Sequence, residues 1–329
     1  MLEFGTIAGG LQESGSDWLE VRSPWTGDVV GRVVLARPQR IEEILQQTHA
    51  ARIGLSRRDR ADVLEAMAAI VEQRRDEVSG MITDETGLCV QDTRYESGRV
   101  VDVLKFAAMK ALDDDSNVYP CDITPHGKAR RIYTTRQPLR LVSAITPFNH
   151  PMNQVAHKIA PAIATNTPVV LKPSEKTPLS AYWLAQIAID AGLPANALNV
   201  VNGPIAETAD LLVTHDLVDM VTFTGSSQIG RQIAGRAGYK RLVLELGGSS
   251  PLLVLEDADV EEAVDIAVAG IFKNSGQRCT AIRRLVVHRS LADDFACGLA
   301  ARAAELNCGD PYDPASDMGT VIDEEAAQR

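Results

Sequence analysis

From Leu141 onwards the chain alternates short apolar segments with segments of helical pattern, and this alternation limits the possible folds more than any other feature. Strands separated by helices of roughly 10–15 residues indicate βαβ units and therefore a parallel sheet. Because such crossovers are right-handed, the sheet is open and doubly wound, and it binds ligands at the carboxyl ends of its strands. The expected strands are 141–145, 168–172, 199–203, 220–225 and 242–248, and the expected helices are 178–191, 205–213 and 227–237.

The part of the chain before this alternation has a different pattern. Residues 1–37 indicate short strands and turns that include a hairpin, and a helical pattern begins at Pro38. Ser56 and Asp59 form a helix-start signal before an apolar stripe that runs from Val63 to Val71. We therefore expect a capped amphipathic helix there.

A second long helix is expected over 91–112, followed by an irregular segment, 113–140, that is rich in charge, proline and β-formers. Within it we predict a protruding hairpin at 119–137, of the kind that often serves subunit contact. The helix carries three charged residues that we interpret as a solvated face: Arg94, Glu96 and Arg99.

Beyond Ser249 the alternation continues, with two apolar strands (251–256 and 283–288) and helices over Val260–Phe272 and Ala292–Leu306. A further helix begins within the final residues, 323–329.

The charge balance excludes some classes of partner. The chain has 33 Lys and Arg residues against 44 Asp and Glu residues, a net charge of −11. An acidic surface repels nucleic acid and anionic membranes, so we expect neither as a partner. No apolar run approaches the ~18 residues that span a bilayer, and no secretory signal is visible, which favours a cytoplasmic protein.

The five cysteines show no metal-binding or disulfide framework spacing, so we expect free thiols in a reducing compartment. We also expect no catalytic metal, because the histidines other than His150 show no ligand spacing. Four of the cysteines are expected to be buried core thiols: Cys89, Cys121, Cys297 and Cys308.

Three polar residues at strand or loop ends form a candidate site. Cys279 lies in a glycine-bearing loop beside Arg278, and a neighbouring cation favours the nucleophilic thiolate. Glu245 ends a strand, and Asn149 follows another, where its amide can donate to an oxyanion. A thiol, a carboxylate and an amide at one sheet edge are the groups that covalent acyl chemistry uses.

Five segments carry a resemblance to the aldehyde dehydrogenase superfamily. They are ITPFNHP, LKPSEKTP, FTGSSQIG, LELGG and NSGQRCT, which occur in this order from residue 145 to residue 280. The resemblance covers the chain from about residue 20 and implies an α/β fold of the aldehyde dehydrogenase type. It implies an NAD-binding domain over 1–118 and 138–247, an oligomerisation hairpin over 119–137 and part of a catalytic domain over 248–329.

The resemblance also implies a mechanism. Cys279 would attack an aldehyde carbonyl, the Asn149 amide and the Cys279 backbone N–H would hold the oxyanion, and hydride transfer to NAD(P) would leave a thioester. Glu245 would then activate the water that hydrolyses this thioester to a carboxylic acid.

The cofactor would bind at three of these motifs. Lys172 and Glu175 would take the adenosine ribose, and Gly225, Ser226 and Gly230 the pyrophosphate. The carboxylate of Glu175 accepts from a ribose 2′-OH and repels a 2′-phosphate, so NAD is favoured and NADP remains possible. The other implied cofactor contacts are Thr146, Pro147, Phe148, Ser174, Leu246 and Gly247.

Two potentially cationic groups, Arg278 and His150, flank the reacting carbon, which predicts a short aldehyde with an anionic end. The runs CDITPHGKARRIYTTRQPL and AITPFNHPMNQVAHKIAPAIATN resemble the branch of the family that oxidises phosphonoacetaldehyde to phosphonoacetate. That resemblance adds Arg99 as a phosphonate contact, and Thr280 completes the predicted substrate site.

Several alternatives stay open. Lactaldehyde, glyceraldehyde 3-phosphate and succinic semialdehyde are other possible substrates, whereas Glu245 argues against a CoA-dependent reaction. The family continues well beyond the position of Arg329, so we expect this length alone to be weakly active, inactive or a non-catalytic NAD-binding fragment. The hairpin suggests a homodimer or homotetramer for the intact protein.

Overall fold

The computed structural model describes residues 1–113 and 115–328; Asp114, in the predicted irregular segment, and Arg329, in the predicted last helix, lie outside the described residues. The strands, in chain order, are β1 Leu2–Phe4, β2 Thr6–Ala8, β3 Leu11–Glu13, β4 Trp18–Arg22, β5 Val29–Val34, β6 Val118–Tyr119, β7 Ile132–Tyr133, β8 Val142–Ile145, β9 Val169–Lys172, β10 Leu198–Val200, β11 Met220–Thr224, β12 Arg241–Glu245, β13 Ser250–Val254 and β14 Ile282–Val287. The helices are α1 Pro38–Ala50, α2 Arg57–Gln73, α3 Arg75–Thr86, α4 Val90–Ala111, α5 Pro151–Ala164, α6 Leu179–Asp190, α7 Ile205–Thr214, α8 Ser227–Arg236, α9 Val260–Phe272, α10 Ala292–Ala304 and α11 Glu324–Gln328.

The central sheet confirms the predicted α/β fold class. Its order is β12-β11-β8-β9-β10-β2-β3, in which β12 through β10 pair in parallel and the last two strands, β2 and β3, are added by antiparallel pairing. The chain passes from β8 to β9 and β10 on one side, then returns to β11 and β12 on the other. The topological switch point therefore lies between β8 and β11, where open α/β sheets bind ligands.

Helices cover both faces of this sheet, because its strands are apolar on both sides. In β9, Val169 and Leu171 belong to the core beneath α2, α4, α5 and α6, whereas Val170 belongs to the core beneath α1, α7 and α8. This division follows from the two-residue period of a strand, which sends successive side chains to opposite faces. The uninterrupted apolar run is the pattern of a parallel strand buried on both sides.

The predicted capping box at α2 is confirmed. The Ser56 hydroxyl accepts from the Asp59 N–H at 3.2 Å, and the Asp59 carboxylate accepts from the Ser56 N–H at 2.9 Å. The apolar stripe that follows, including Leu64 and Met67, is buried in the core. The local signal and the tertiary packing therefore agree at this helix start.

Glu96 corrects the interpretation of α4 as having a fully solvated charged face. Arg94 and Arg99 are exposed, but Glu96 is 1% exposed, and its Oε1 accepts from the N–H groups of Met152 and Asn153 at 3.0 and 2.9 Å. These donors belong to the first turn of α5, which has no helical partners for them. Burial raises the pKa of Glu96 to about 8.

A second buried carboxyl has the same role at α6. Glu85 accepts from the N–H groups of Leu179 and Ser180 at 2.8 and 3.1 Å. Burial raises its pKa to about 7. Two of the helices on this face of the sheet, α5 and α6, are thus capped by a glutamate from another helix.

The irregular segment contains a shorter hairpin than its sequence predicts. Only Val118–Tyr119 and Ile132–Tyr133 pair, as antiparallel strands, although β-formers extend over 131–135. The paired residues are exposed, so no core packing extends the ladder.

Residues 250–304 have a small core of their own, in which α9 and α10 pack on the parallel pair β13–β14 around Phe295, whereas the following loop packs against α3 and the turn between α3 and α4 through Tyr312 and Thr320. The prediction that four cysteines are buried is wrong for three of them. Cys89 is buried, but Cys121, in the exposed hairpin segment, is half-buried. Cys297 is exposed on α10, of which the small core buries only one side, and Cys308 after α10 is exposed as well. All five thiols are free. Within 1–113 and 115–328, no helix is long and apolar enough to cross a membrane.

Candidate active site

The loop that carries Cys279 begins with an unusual backbone turn. Asn274, Ser275 and Gly276 all have positive φ, at 60°, 51° and 68°. The left-handed region is costly for residues other than glycine, so neighbours must hold this turn in place. Asp92 of α4 supplies one such contact, since its carboxylate accepts from the buried Asn274 N–H at 2.8 Å.

Two reciprocal amide contacts bring the predicted oxyanion residue to this loop. The Asn149 side-chain amide donates to the Gln277 carbonyl at 2.6 Å, and the Asn274 amide donates to the Asn149 carbonyl at 3.0 Å. One N–H of the Asn149 amide remains for a further acceptor. The structure thus places Asn149 and Cys279 on two loops that are hydrogen-bonded to each other.

Glu245, the third predicted catalytic residue, is exposed at the carboxyl end of β12. The segment that follows Glu245 passes directly beside the loop that carries Cys279 (residues 273–280), which we call the nucleophile loop. A Cβ on Gly248 would lie 2.4 Å from the Cys279 carbonyl oxygen, so only glycine permits this approach. The three predicted catalytic residues therefore belong to adjoining segments at one edge of the sheet.

Lys158 of α5 is a charged residue of this region that sequence reasoning missed. Its ammonium donates to the Thr222 and Thr224 hydroxyls at 3.0 and 2.9 Å on the sheet beneath. Burial lowers its pKa to about 8, opposed by the charge of Glu245. A signal was present, because Lys158 falls on the apolar stripe that α5 turns towards the sheet, three residues after Val155.

Cys279 opens onto a cavity of about 210 Å³. Two helices and one loop form its walls, and each helix contributes residues of a single face, spaced at i, i+3, i+4 and i+7. From α4 and the start of α5 come Asp92, Tyr95, Glu96, Arg99, His150, Asn153, Gln154 and His157. From the loop come Lys273, Asn274, Arg278, Cys279 and Thr280.

All four predicted substrate residues, Arg99, His150, Arg278 and Thr280, line this cavity together with the thiol. The prediction that His150 is cationic is wrong, however. Burial and the positive charges of Arg278 and Arg99 lower its pKa to about 4, so the imidazole is neutral near neutral pH. His157, which the sequence did not single out, also has a lowered pKa, mainly through burial.

Arg278 has partners within its own chain. Its guanidinium donates to the Ala269 and Gly270 carbonyls at 3.1 and 3.0 Å, near the end of α9. A cation at the carboxyl end of a helix offsets the partial negative charge there. Arg278 therefore fixes the nucleophile loop to α9 as well as adding positive charge to the cavity.

The predicted cofactor residues lie apart from the cavity wall, at the carboxyl ends of four parallel strands. Thr146, Pro147 and Phe148 follow β8 and so flank the topological switch point. The Thr146 hydroxyl is buried and has no hydrogen-bond partner among the residues described, 1–113 and 115–328. An unpaired buried hydroxyl of this kind fits a polar ligand.

The other strand ends complete this edge. Lys172 ends β9, is buried, and forms an ion pair with Glu175, next to Ser174. Gly225 follows β11, and Ser226 caps α8 by accepting from the Ile229 N–H at 3.3 Å. The remaining predicted contacts, Gly230 in α8 and Leu246 and Gly247 after β12, lie beside them, and a Cβ on Gly230 would lie 2.4 Å from Leu246.

The site combines a cysteine on one loop with an asparagine on a neighbouring loop, at one edge of a doubly wound sheet. Comparison with known proteins agrees with this arrangement. The family model described as "Aldehyde dehydrogenase family" matches residues 11–329. The chain belongs to the aldehyde dehydrogenase family. The superfamily resemblance that the sequence motifs carry is thereby confirmed.

The names of relatives within the aldehyde dehydrogenase family refer to different aldehyde substrates. The chain is 36% identical over 313 residues to aspartate-semialdehyde dehydrogenase 1 of Pseudomonas canavaninivorans, covering 94% of this chain and 66% of that protein. It is 32% identical over 328 residues to 3-sulfolactaldehyde dehydrogenase of Priestia megaterium, covering 99% and 69%. The chain thus spans about two thirds of the length of these relatives.

A solved structure confirms the aldehyde dehydrogenase fold. The NADP-dependent glyceraldehyde-3-phosphate dehydrogenase of Bacillus halodurans, complexed with NADP, superimposes with a TM-score of 0.95 at 32% identity. The match covers 99% of this chain and 70% of that one.

Proposed function

We propose that this chain provides the nucleotide-binding and nucleophile portion of an NAD(P)-dependent aldehyde dehydrogenase. The observation that carries the proposal is the position of Cys279, which opens onto a small cavity while its loop is bonded to that of Asn149. Nucleophilic acyl chemistry needs a thiol and an oxyanion donor held together in this way.

The chain's own residues would perform the following steps. The Cys279 thiolate adds to the aldehyde carbon, and the free N–H of the Asn149 amide and the Cys279 backbone N–H hold the resulting oxyanion. A bound nicotinamide dinucleotide supplies the acceptor for the hydride that leaves this carbon. Cys279 then carries a thioester, and Glu245 takes a proton from the water that cleaves it, releasing the acid and the thiol.

The strand-end residues would hold the dinucleotide. The buried, unpaired Thr146 hydroxyl and the N-terminus of α8 at Ser226 offer polar contacts at the switch point. The negative charge of Glu175 repels a 2′-phosphate, but the positive charge of Lys172, its ion-pair partner, offsets part of this repulsion. We therefore expect NAD to be preferred and NADP to be accepted.

The substrate we infer is a small aldehyde with an anionic group, and phosphonoacetaldehyde is our first candidate. A cavity of about 210 Å³ is small for a ligand site, and Arg99, Lys273 and Arg278 line it. The relatives' names contain aldehydes with carboxylate, sulfonate and phosphate groups, which supports an anionic substrate without distinguishing among them.

We also propose the domain division 1–118 with 138–247, 119–137 and 248–329. The separate core around Phe295 supports the last unit, and the exposed Val118, Tyr119, Ile132 and Tyr133 support a hairpin that serves subunit contact in a homodimer or homotetramer.

The test is NADH formation with phosphonoacetaldehyde, lactaldehyde, succinic semialdehyde and glyceraldehyde 3-phosphate, combined with mass spectrometry of the acyl adduct. We expect an adduct on Cys279, its loss in C279A, and its retention in the matched variant C297A, which removes an exposed thiol elsewhere. NADH formation by C279A at the unmodified rate would refute the proposed mechanism. Equal rates with a neutral aldehyde such as propanal would refute the anionic substrate.

A further inference from the structure

The ring of Tyr95 lies between two cations at the cavity wall. The Lys273 ammonium is 3.8 Å from the ring centroid, and the Arg99 guanidinium carbon is 6.0 Å from it. The Arg99 guanidinium also contacts the Tyr95 hydroxyl at 3.4 Å. Because the ring face attracts cations, Tyr95 holds the flexible Lys273 side chain in place.

Neither of these two cations is in a salt bridge with a described residue, and a third cation, Arg278, lines the same cavity. Across the described ranges 1–113 and 115–328, neither Arg99 nor Lys273 lies within 4.0 Å of a carboxylate oxygen, whereas Arg278 is bonded to two helix carbonyls. Unpaired cations that share a cavity repel each other, and an anionic ligand relieves that repulsion.

The carboxyls of the cavity offset only part of this positive charge. Asp92, which accepts from Asn274, lies near enough to Lys273 and Arg278 to act on both electrostatically. Glu96 is buried, accepts from the first turn of α5, and is protonated near neutral pH because burial raises its pKa to about 8. His150 is half-buried and His157 is exposed, and both line the same cavity. The positive charge on either side of Tyr95 therefore faces the open cavity.

We propose that Lys273 is a specificity-determining residue that, with Arg99, binds the remote group of the substrate and selects a doubly charged oxyanion over a singly charged one. This inference rests on the proposed function, because it names the substrate class of the same cavity. The three cations Arg99, Lys273 and Arg278 exceed the one Asp92 carboxylate by two positive charges, which a doubly charged anion balances and a monoanion of the same shape does not. Lys273 and Cys279 lie in the same loop, so an anion bound at Lys273 is held close to the reacting thiol.

Protection of Cys279 from iodoacetamide tests the proposal without turnover. Methylphosphonate and methanesulfonate have the same shape, and at mildly alkaline pH the first is doubly charged and the second singly charged. Alkylation is followed by mass spectrometry at Cys279, with the exposed Cys297 as an internal reference in every sample. In the unmodified chain we expect methylphosphonate to protect Cys279 at about tenfold lower concentration than methanesulfonate, the ratio that one partly screened charge contact gives.

Four variants distinguish the contribution of Lys273 to the preference from that of its surroundings. K273M keeps the apolar stem and should abolish the tenfold preference, and K273R should keep it. K105M makes the same change at an exposed position of α4 and should have no effect. Y95L, which keeps both charges but removes the ring, should reduce the preference and provides a second test should K273M fold poorly.

Retention of the preference in K273M or, if that variant does not fold, in Y95L would overturn the proposal. Equal protection by both anions in the unmodified chain, or no protection by either, would overturn it as well. Because alkylation requires neither cofactor nor oxidation, the absence of an acyl adduct on Cys279 in the aldehyde assay counts against the proposed function without changing this result.

Discussion

Replacing Glu96 gives a sharp test of how the floor of the cavity is built. Its buried Oε1 accepts from two N–H groups of α5, the helix whose start carries His150 and follows Asn149. E96A leaves both donors unsatisfied at about 1–3 kcal/mol each, so we expect a loss of about 2–6 kcal/mol in the free energy of unfolding. E96Q keeps an oxygen acceptor and should lose about 1 kcal/mol at acidic pH.

The pH dependence distinguishes the two forms of the carboxyl. The pKa of Glu96 is about 8 in the folded chain, against 4.5 ordinarily, so its protonated form stabilises the fold below pH 4.5. That contribution decreases as the pH rises towards about 8. At about 1.4 kcal/mol per pKa unit, the stability of the unmodified chain relative to E96Q should fall by about 3 kcal/mol between pH 5 and pH 8.

The assay is urea unfolding followed by the fluorescence of Trp183, which is buried in the same core, at several pH values. Comparison with E96Q cancels the parallel contribution of Glu85, since both chains contain it. E65Q, at an exposed position of α2, should differ by less than about 0.5 kcal/mol at every pH. A stability difference between the unmodified chain and E96Q that does not vary with pH would refute the raised pKa, and a harmless E96A would refute the capping role.

Three further substitutions address other parts of the chain. S56A removes the α2 cap and should lower the free energy of unfolding by about 1 kcal/mol in urea, and an unchanged midpoint would contradict this. E175Q should raise the kcat/KM for NADP relative to NAD about tenfold in steady-state assays, because it removes a charge that repels the 2′-phosphate, and an unchanged ratio would remove Glu175 from the cofactor site. G248A forces the backbone beside Cys279 to shift and should slow alkylation of that thiol about tenfold or more. In G247A the new Cβ has no neighbouring atom nearer than 3.7 Å, so the alkylation rate should not change. Equal rates in both variants would show that the close approach of Gly248 is unimportant.

Local patterns predicted most of the fold. The helix start at Ser56 depends on residues three positions apart, and the strands of the sheet are apolar runs bounded by turns. The strand ends then follow from topology, so the candidate residues Asn149 and Glu245 were placed at the correct edge. Each of these inferences uses information that lies within a short stretch of sequence.

The errors concern side chains whose environment is made by distant segments. Glu96 has the same local pattern as a solvated charge, and only the arrival of α5 shows that it is a buried cap. Lys158 occupies an apolar stripe because two threonines of β11 accept hydrogen bonds from it. His150 is neutral because burial, and then the cations of α4 and the nucleophile loop, lower its pKa. Charge state and burial at this site are tertiary properties, which periodicity does not report.

The turn formed by Asn274, Ser275 and Gly276 has a consequence for redesign of the cavity. The positive φ of Gly276 makes any replacement there cost about 1–2 kcal/mol, and at Asn274 and Ser275, which are buried at positive φ, β-branched and bulky residues are disfavoured. Libraries that aim at a new substrate range will therefore yield few folded members at 274–276. The productive positions are Tyr95, Arg99 and Lys273, whose side chains reach the same space from a helix face and from the residue before the turn.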